Sequence, residues 1–422
     1  MKQFNVPGFL ISSNLYEVNT RQYTSEGTFK AFMEHLPRLQ QMGVEILWFM
    51  PIHPIGIEKR KGTLGSYYSI KNFKEVNPEF GTLEDFKFMV KAIHDLGMKI
   101  IIDWVANHAA WDNNWTLTNP EFFEKDDQGN FKSPYDWTDV IQISHKNTQE
   151  QEAMIEAMSY WILECDIDGF RADLAHLTPL EFWIKARKQL DVLKPNLVWL
   201  AETEEPSYHN AFDISYTWKW MHATEEILKP GFNMHSLTSL LAAASSEFKS
   251  ELRMYYTSNH DENSWNGSEY EKYGIYARAL AVFTNTYVHS VPLIYSGQEL
   301  PLKKRLSFFD KDEIGWDEKP ALHFFYSLLL QLRKRDPVFK FNAGLSFIDS
   351  SLPVLAYKRS VGNHCVIVIL NISQENINDE LKLPDVSGVF NNIFSNELRE
   401  VDGRLKISLE PGDYLVFEKI IA

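Results

Sequence analysis

The stretch Asp166-Ile-Asp-Gly-Phe-Arg-Ala-Asp173 decides how the chain is read. Ile167, Gly169-Phe170 and Ala172 form a short apolar run behind turn-prone residues, the pattern of a buried parallel strand. Arg171 and Asp173 lie two apart, so in an extended segment both side chains point to one side. A cation and a carboxylate facing a strand-lined interior are costly unless they pair or work. A structural ion pair on an exposed strand is the alternative.

Three further stretches bear on that choice. Lys99-Ile-Ile-Ile-Asp-Trp-Val-Ala-Asn-His108, Asn196-Leu-Val-Trp-Leu-Ala-Glu202 and Met254-Tyr-Tyr-Thr-Ser-Asn-His-Asp261 are apolar runs that end in ionisable groups. A parallel α/β barrel gathers its active site at the C-terminal ends of its strands. Four such ends in one chain favour working groups.

Around these stretches, short apolar runs alternate with helical patterns from about residue 14 to 335. The spacing predicts strands at 14–18, 45–49, 99–105, 167–172, 196–202, 211–214, 254–258 and 291–295. Helices are expected over 29–42, 83–97, 149–164, 179–193, 234–248, 273–287 and 321–335. Eight strands alternating with helical patterns predict a (β/α)8 TIM barrel. Residues 109–144, rich in Trp, Asn, Asp and Pro, break the rhythm. They are too many for an ordinary βα loop and read as an inserted subdomain. Within them, Asp126–Asn130 reads as a hairpin turn rather than a calcium loop, because the spacing and terminal Glu of an EF-hand are missing. After Asp336-Pro337 short strands separated by turn residues predict a C-terminal antiparallel β-sandwich. The expected domains are a barrel over 1–108 and 145–344, a subdomain over 109–144 and a sandwich over 345–422.

The 422 residues carry a net charge of −15, with 44% hydrophobic and 23% charged residues. That acidity argues against nucleic-acid and anionic-membrane partners and leaves an uncharged substrate open. Cys165 and Cys365 stand far apart and suggest neither a disulfide nor a zinc site. No run of about 18 apolar residues spans a membrane. A basic, apolar leader is also missing at the start. The expectation is a cytoplasmic protein, or an exported one given without its signal peptide, acting as a monomer or weak oligomer.

The strand ends lack zinc motifs, a phosphate loop and a serine elbow, so carboxylates must do the chemistry. Glycoside hydrolysis uses such a set, with one carboxylate attacking the anomeric carbon and one acid protonating the departing oxygen. Asp173 beside Arg171 is expected to stay ionised at low pKa, as a nucleophile must. Glu202, after an apolar run and near other carboxylates, is expected to be raised, which suits a general acid. Asp261, His108 and His260 are available to bind the sugar.

These stretches resemble the four signature regions of the α-amylase family of retaining glycoside hydrolases. The matches are Asp103, Asn107 and His108; Gly169, Arg171 and Asp173; Glu202; and His260-Asp261. Gly43–Pro51 and Val291–Glu299 are similar to the family's second and eighth strands, and Gly65–Ile70 to the loop whose Tyr stacks under the cleaved sugar. The resemblance implies Asp173 as nucleophile, Glu202 as acid/base and Asp261 as transition-state stabiliser. It places Tyr68, His108, Arg171 and His260 around the reacting glucose and makes Asp103 a support for Arg171.

The family's structural calcium would use Asn107, Asp139 and the Leu177 carbonyl, oxygen ligands that suit the ion. Alternatively, Asn107 only ties loops together. Where the family often has Lys-His after the nucleophile, this chain has His176-Leu177, so His176 is the expected leaving-side contact. The stretch Glu17–Thr24 lacks the Asp-rich loop of oligo-1,6-glucosidase-like members, which tilts the reading to α-1,4 bonds in starch, glycogen or maltooligosaccharides. An exo-acting α-glucosidase, a glucan transferase and a trehalose-synthase-like isomerase share the same residues. A non-catalytic carbohydrate-binding relative is the reading from another class. Trp111, Trp137, Tyr208 and Trp265 are candidates for distant sugar subsites or for core packing.

Overall fold

The computed structural model describes residues 4–229, 232 and 234–421. Residues 1–3 and 422, the outer limits of the expected first and last domains, lie outside the described residues. The strands, in chain order, are β1 (Leu15–Val18), β2 (Ile46–Phe49), β3 (Lys99–Trp104), β4 (His108–Ala110), β5 (Val140–Gln142), β6 (Gly169–Ala172), β7 (Val198–Ala201), β8 (Ile214–Ser215), β9 (Leu252–Arg253) and β10 (Leu293–Tyr295). Eight of them form one parallel sheet in the order β10-β1-β2-β3-β6-β7-β8-β9. The ring closes between its ends, where Val291 N donates to the Arg253 carbonyl at 2.9 Å and Leu293 N to the Tyr255 carbonyl at 3.0 Å. This is a (β/α)8 barrel, with helices such as Leu83–Asp95, Thr148–Cys165 and Leu180–Leu193 between the strands.

Gly169 shows how closely the ring is drawn. Its φ of +151° is poorly tolerated by other residues, and a Cβ there would stand 2.0 Å from the Val198 carbonyl oxygen. Only glycine lets β6 meet β7 at this point, and the placement of Arg171 and Asp173 follows from that contact.

Two strands differ from the sequence expectation. The sixth is Ile214–Ser215 rather than 211–214, because Pro206–Asn210 coils as a 3-10 helix immediately before it. The seventh is Leu252–Arg253 rather than 254–258. There the Thr217 hydroxyl takes the Met254 carbonyl at 2.7 Å, so a side chain replaces ladder pairing as the barrel mouth opens.

β4 and β5 pair antiparallel at the root of the excursion after β3. Within it, Asp126 N donates to the Asn130 carbonyl at 2.9 Å, and Asp126 Oδ1 accepts from the N–H groups of Gln128 and Asn130. That carboxylate is used up in making a hairpin turn.

The C-terminal strands are β11 (Leu345–Phe347), β12 (Leu355–Val361), β13 (His364–Leu370), β14 (Ile377–Asn392), β15 (Leu398–Leu409) and β16 (Tyr414–Lys419), in the antiparallel order β11-β12-β13-β16-β14-β15. A register irregularity between Lys382 and Ser387 marks a break in the long β14–β15 ribbon. Ile367, Ile369, Leu381, Phe390, Leu405 and Phe417 form a second core within this β domain. The domain is locked to the barrel by buried Arg359, which donates to the carbonyls of Ala343, Thr286 and Tyr287 at 3.0–3.2 Å. Among the described residues no helix is long and apolar enough to cross a membrane.

Candidate active site

The barrel mouth collects the ionisable strand ends around one guanidinium. Arg171 is fully buried, and its Nη1 donates to Asp103 Oδ1 at 2.9 Å and to Asp173 Oδ1 at 3.0 Å. Nη2 lies 2.7 Å from Glu202 Oε2, an ion contact whose angle is not that of a hydrogen bond. Glu202 Oε2 also accepts the Leu174 N–H at 2.7 Å. Asp173 Oδ2 is buried with no hydrogen-bond partner among the described residues.

A second cation faces the first across the ring. His260 Nε2 sits 2.6 Å from the Tyr68 hydroxyl and 3.3 Å from Asp261 Oδ2, while Nδ1 sits 2.5 Å from Glu17 Oε1. Burial acts to lower the His260 pKa, but Asp261 and Glu17 overcome it and hold the imidazolium well above the usual range. Asp261 is pulled the other way: burial opposes ionisation, and His260 and Arg171 bring its pKa below the ordinary value. The Asp261 side chain, 44% exposed, stands at the cleft mouth.

Burial raises Glu202, with Asp261 adding and Arg171 and the Leu174 N–H opposing. Asp173 departs from the sequence expectation. Burial pushes its pKa well up, and Glu202, Asp103 and Asp261 add to the effect of burial. Arg171 pulls it down but divides its charge among three carboxylates, so pairing does not win. His108 is pushed down to about 4 by burial, which leaves a neutral imidazole near pH 7.

Tyr68, His108, Asp173, Glu202, His260 and Asp261 all line one cleft of about 480 Å³. Arg171 and Asp103 lie beneath it; Asp103 Oδ2 accepts from Tyr68 Oη at 3.0 Å and from Trp48 Nε1 at 3.3 Å. His176 is not among the lining residues. Its Nδ1 lies 3.5 Å from the Glu202 carbonyl, and its ring meets Trp218 edge-on. Trp137 and Trp265 line the cleft, whereas Tyr208 is buried and donates to the Thr178 carbonyl at 2.9 Å. Trp111 lies under the Lys59 ammonium.

Two of the residues considered for calcium have other partners. Asp139 Oδ1 is paired with Lys61 Nζ at 2.8 Å, and the Asn107 amide is 3.3 Å from His108 Nδ1. Leu177 ends the 3-10 turn after β6. Among the described residues no three His, Cys, Asp or Glu are grouped to hold a metal. A calcium ion at these residues would have to displace Lys61 from Asp139.

Sequence reading missed Glu17, Tyr216, Lys61 and the Phe308-Phe309 pair. Glu17 carried a signal, a carboxylate inside the apolar run of β1. Tyr216, which accepts from Arg171 Nε at 3.2 Å, and Phe308-Phe309 look like any core aromatics until the barrel is assembled.

The alpha-amylase catalytic-domain model matches residues 12–144. In structure the chain is similar to a noncanonic maltogenic alpha-amylase, AmyB, from Thermotoga neapolitana. That likeness has 32% identity and a TM-score of 0.89 over 98% of this chain and 100% of the other. An alpha-amylase from Lactobacillus plantarum is 26% identical, with a TM-score of 0.87 over 98% and 100% of the two chains. By sequence it is 25% identical over 397 residues to the alpha-amylase MalA of Haloarcula japonica and 26% identical over 401 residues to a maltosyltransferase of Salinibacter ruber. These matches cover 89% and 84% of this chain but only 57% and 58% of those curated relatives. The full-length likeness at 32% identity, on a barrel whose mouth carries these carboxylates, establishes that the chain belongs to the α-amylase family of glycoside hydrolases, enzymes that act on glycosidic bonds.

Proposed function

We propose that the protein hydrolyses α-1,4-glucosidic bonds in starch, glycogen or maltooligosaccharides with retention of configuration. The observation that carries this reading is the asymmetry of Asp173, whose Oδ1 is held by Arg171 while Oδ2 is buried and unpartnered beside Glu202. In the reacting state Asp173 is ionised and Oδ2 attacks the anomeric carbon. Glu202 keeps Oε2 on Arg171 and the Leu174 N–H, which leaves Oε1 to carry the proton given to the departing oxygen. The clustered carboxylates titrate as a unit, so this pairing of one proton and one negative charge belongs to the set. Glu202, now ionised, then takes a proton from the water that releases the glycosyl group from Asp173. Asp261 and the other anions oppose the positive charge that develops on the sugar ring.

Proton NMR of early products from maltoheptaose tests this. Release of the α-anomer supports retention, and initial release of the β-anomer overturns it. Transfer to a second sugar is the alternative that the maltosyltransferase among the relatives favours, and products longer than maltoheptaose would establish it.

A further inference from the structure

The loop over residues 57–65 is fixed on both sides of the cleft mouth. Toward β10, Thr63 donates to Asp310 Oδ1 from N and from Oγ1, at 2.8 and 2.7 Å, and Leu64 N donates to the Phe309 carbonyl at 3.0 Å. The contact is close: a Cβ on Gly62 would meet Phe309 Cβ at 2.5 Å. Behind it, buried Arg21, paired with Glu79 at 2.8 Å, donates to the Gly65 and Phe308 carbonyls at 3.0 and 3.4 Å. Toward the excursion between β4 and β5, Lys61 Nζ pairs with Asp139 Oδ1 at 2.8 Å. Lys61, Asp139, Phe308 and Phe309 all line the cleft. Together they make one continuous wall above the arc from β10 through β1 and β2 to β3.

The place of that wall in the ring gives it a meaning. β7, which Glu202 follows, stands four strands from β1 in a ring of eight, directly across the mouth. A general acid protonates the leaving oxygen, so the departing chain lies on the Glu202 side. The part of the substrate that precedes the cleaved bond then runs toward the wall. The cleft, about 480 Å³, is lined both by that wall and by Glu202, and some of it must serve the leaving side.

Resting on the α-1,4 reading above, the geometry points to exo-action: the Lys61–Thr63 and Phe309–Asp310 wall closes the cleft on the side away from Glu202, so bonds are cut near non-reducing chain ends and short products are released. An endo-acting site needs a path for a chain of any length on both sides of the cleaved bond. Here the two loops and the excursion join across one of those paths. Lys61, Phe309 and Asp310 are therefore specificity-determining residues.

The test uses two maltoheptaosides, one with a free non-reducing end and one capped there by a 4,6-O-ethylidene group. The unmodified enzyme should cleave the capped substrate at least about 100-fold more slowly than the free one. Phe309→Ala/Asp310→Ala should raise the capped-to-free ratio about tenfold or more, with the melting curve as the control for folding. Should that variant not fold, Lys61→Met cuts the other attachment and is read by the same ratio. Equal cleavage of both substrates by the unmodified enzyme overturns the wall and spares the α-1,4 reading. Cleavage of neither overturns the α-1,4 reading and this proposal with it.

Discussion

Arg171 holds Asp173 by Oδ1 at 3.0 Å and leaves Oδ2 buried without a partner among the described residues. An unpartnered buried carboxylate oxygen among Glu202, Asp103 and Asp261 destabilises the fold, and catalysis is the reason to keep it. Asp173→Asn should therefore gain stability, by about 1 kcal/mol. It should also lose turnover on the order of 10⁴-fold. Melting temperature and single-turnover rate measure the two effects. A variant both less stable and nearly as active would remove Asp173 from the nucleophile's role.

Burial is the largest influence raising Glu202, and the acid role needs its protonated form. Turnover should therefore fall as pH rises through a pKa above the ordinary carboxylate range. Glu202→Gln should lower kcat on maltoheptaose by roughly 10²–10⁴-fold. In formation of the glycosyl-enzyme, read as kcat/KM, the same variant should lose far less on α-maltosyl fluoride, whose leaving group needs no proton, and kcat/KM on the fluoride should show no alkaline limb. Equal losses on both substrates would assign Glu202 to binding instead.

Glu17 reaches the reaction through His260, with Nδ1 at 2.5 Å. A histidine pKa raised in the folded state contributes stability that is complete below the unfolded value and is lost as pH rises through the folded one. Glu17→Gln removes one of the two carboxylates that hold His260 charged, so that window should move to lower pH. The expected loss of kcat is about 10–100-fold, the usual size for a residue acting through a site group. The limb that reports loss of the His260 charge, above that of Glu202, should also shift downward. An unchanged profile with lower stability alone would make Glu17 merely structural.

The barrel and the ionisable groups gathered at its mouth are legible because the strand ends are written locally. Each of the runs before Asp103, Asp173 and Glu202 places its terminal carboxylate by strand alternation alone. Two kinds of information were not local. The sixth and seventh strands are two residues each, too short for periodicity, and Thr217 rather than the strand sequence ends the ladder near Met254. The charge state of Asp173 was misjudged for a similar reason: the sequence shows Arg171 beside it, but not that Asp103 and Glu202 share the same guanidinium. The wall over the cleft was invisible because Thr63 and Asp310 are 247 residues apart.

Asp139, a candidate calcium ligand by sequence, faces the Lys61 ammonium at 2.8 Å. A divalent cation there would have to displace an ion pair that already neutralises the carboxylate. Chelation with EDTA should leave both the melting curve and the turnover of maltoheptaose unchanged. A chelator-induced fall in melting temperature, reversed by calcium alone, would show that calcium takes the place of Lys61 at Asp139.

Glu269 lies below the mouth, where its Oε1 accepts from Thr257 Oγ1 at 2.6 Å and from Gln298 Nε2 at 3.0 Å. Burial pushes its pKa up to about 7, against the two hydrogen bonds and Lys272. The folded state thus prefers the protonated carboxyl. Its contribution to stability is complete below the unfolded value near 4.5 and is lost as pH rises toward 7. The full span corresponds to about 3 kcal/mol. Glu269→Gln keeps an acceptor for Thr257 and Gln298 and has no charge to bury. Urea unfolding at pH 5 and pH 8 should show the variant nearly level, and more stable than the parent at pH 8 by about 2 kcal/mol. Parallel pH dependences in the two proteins would mean that Glu269 is ionised in the fold, with Lys272 as its effective partner.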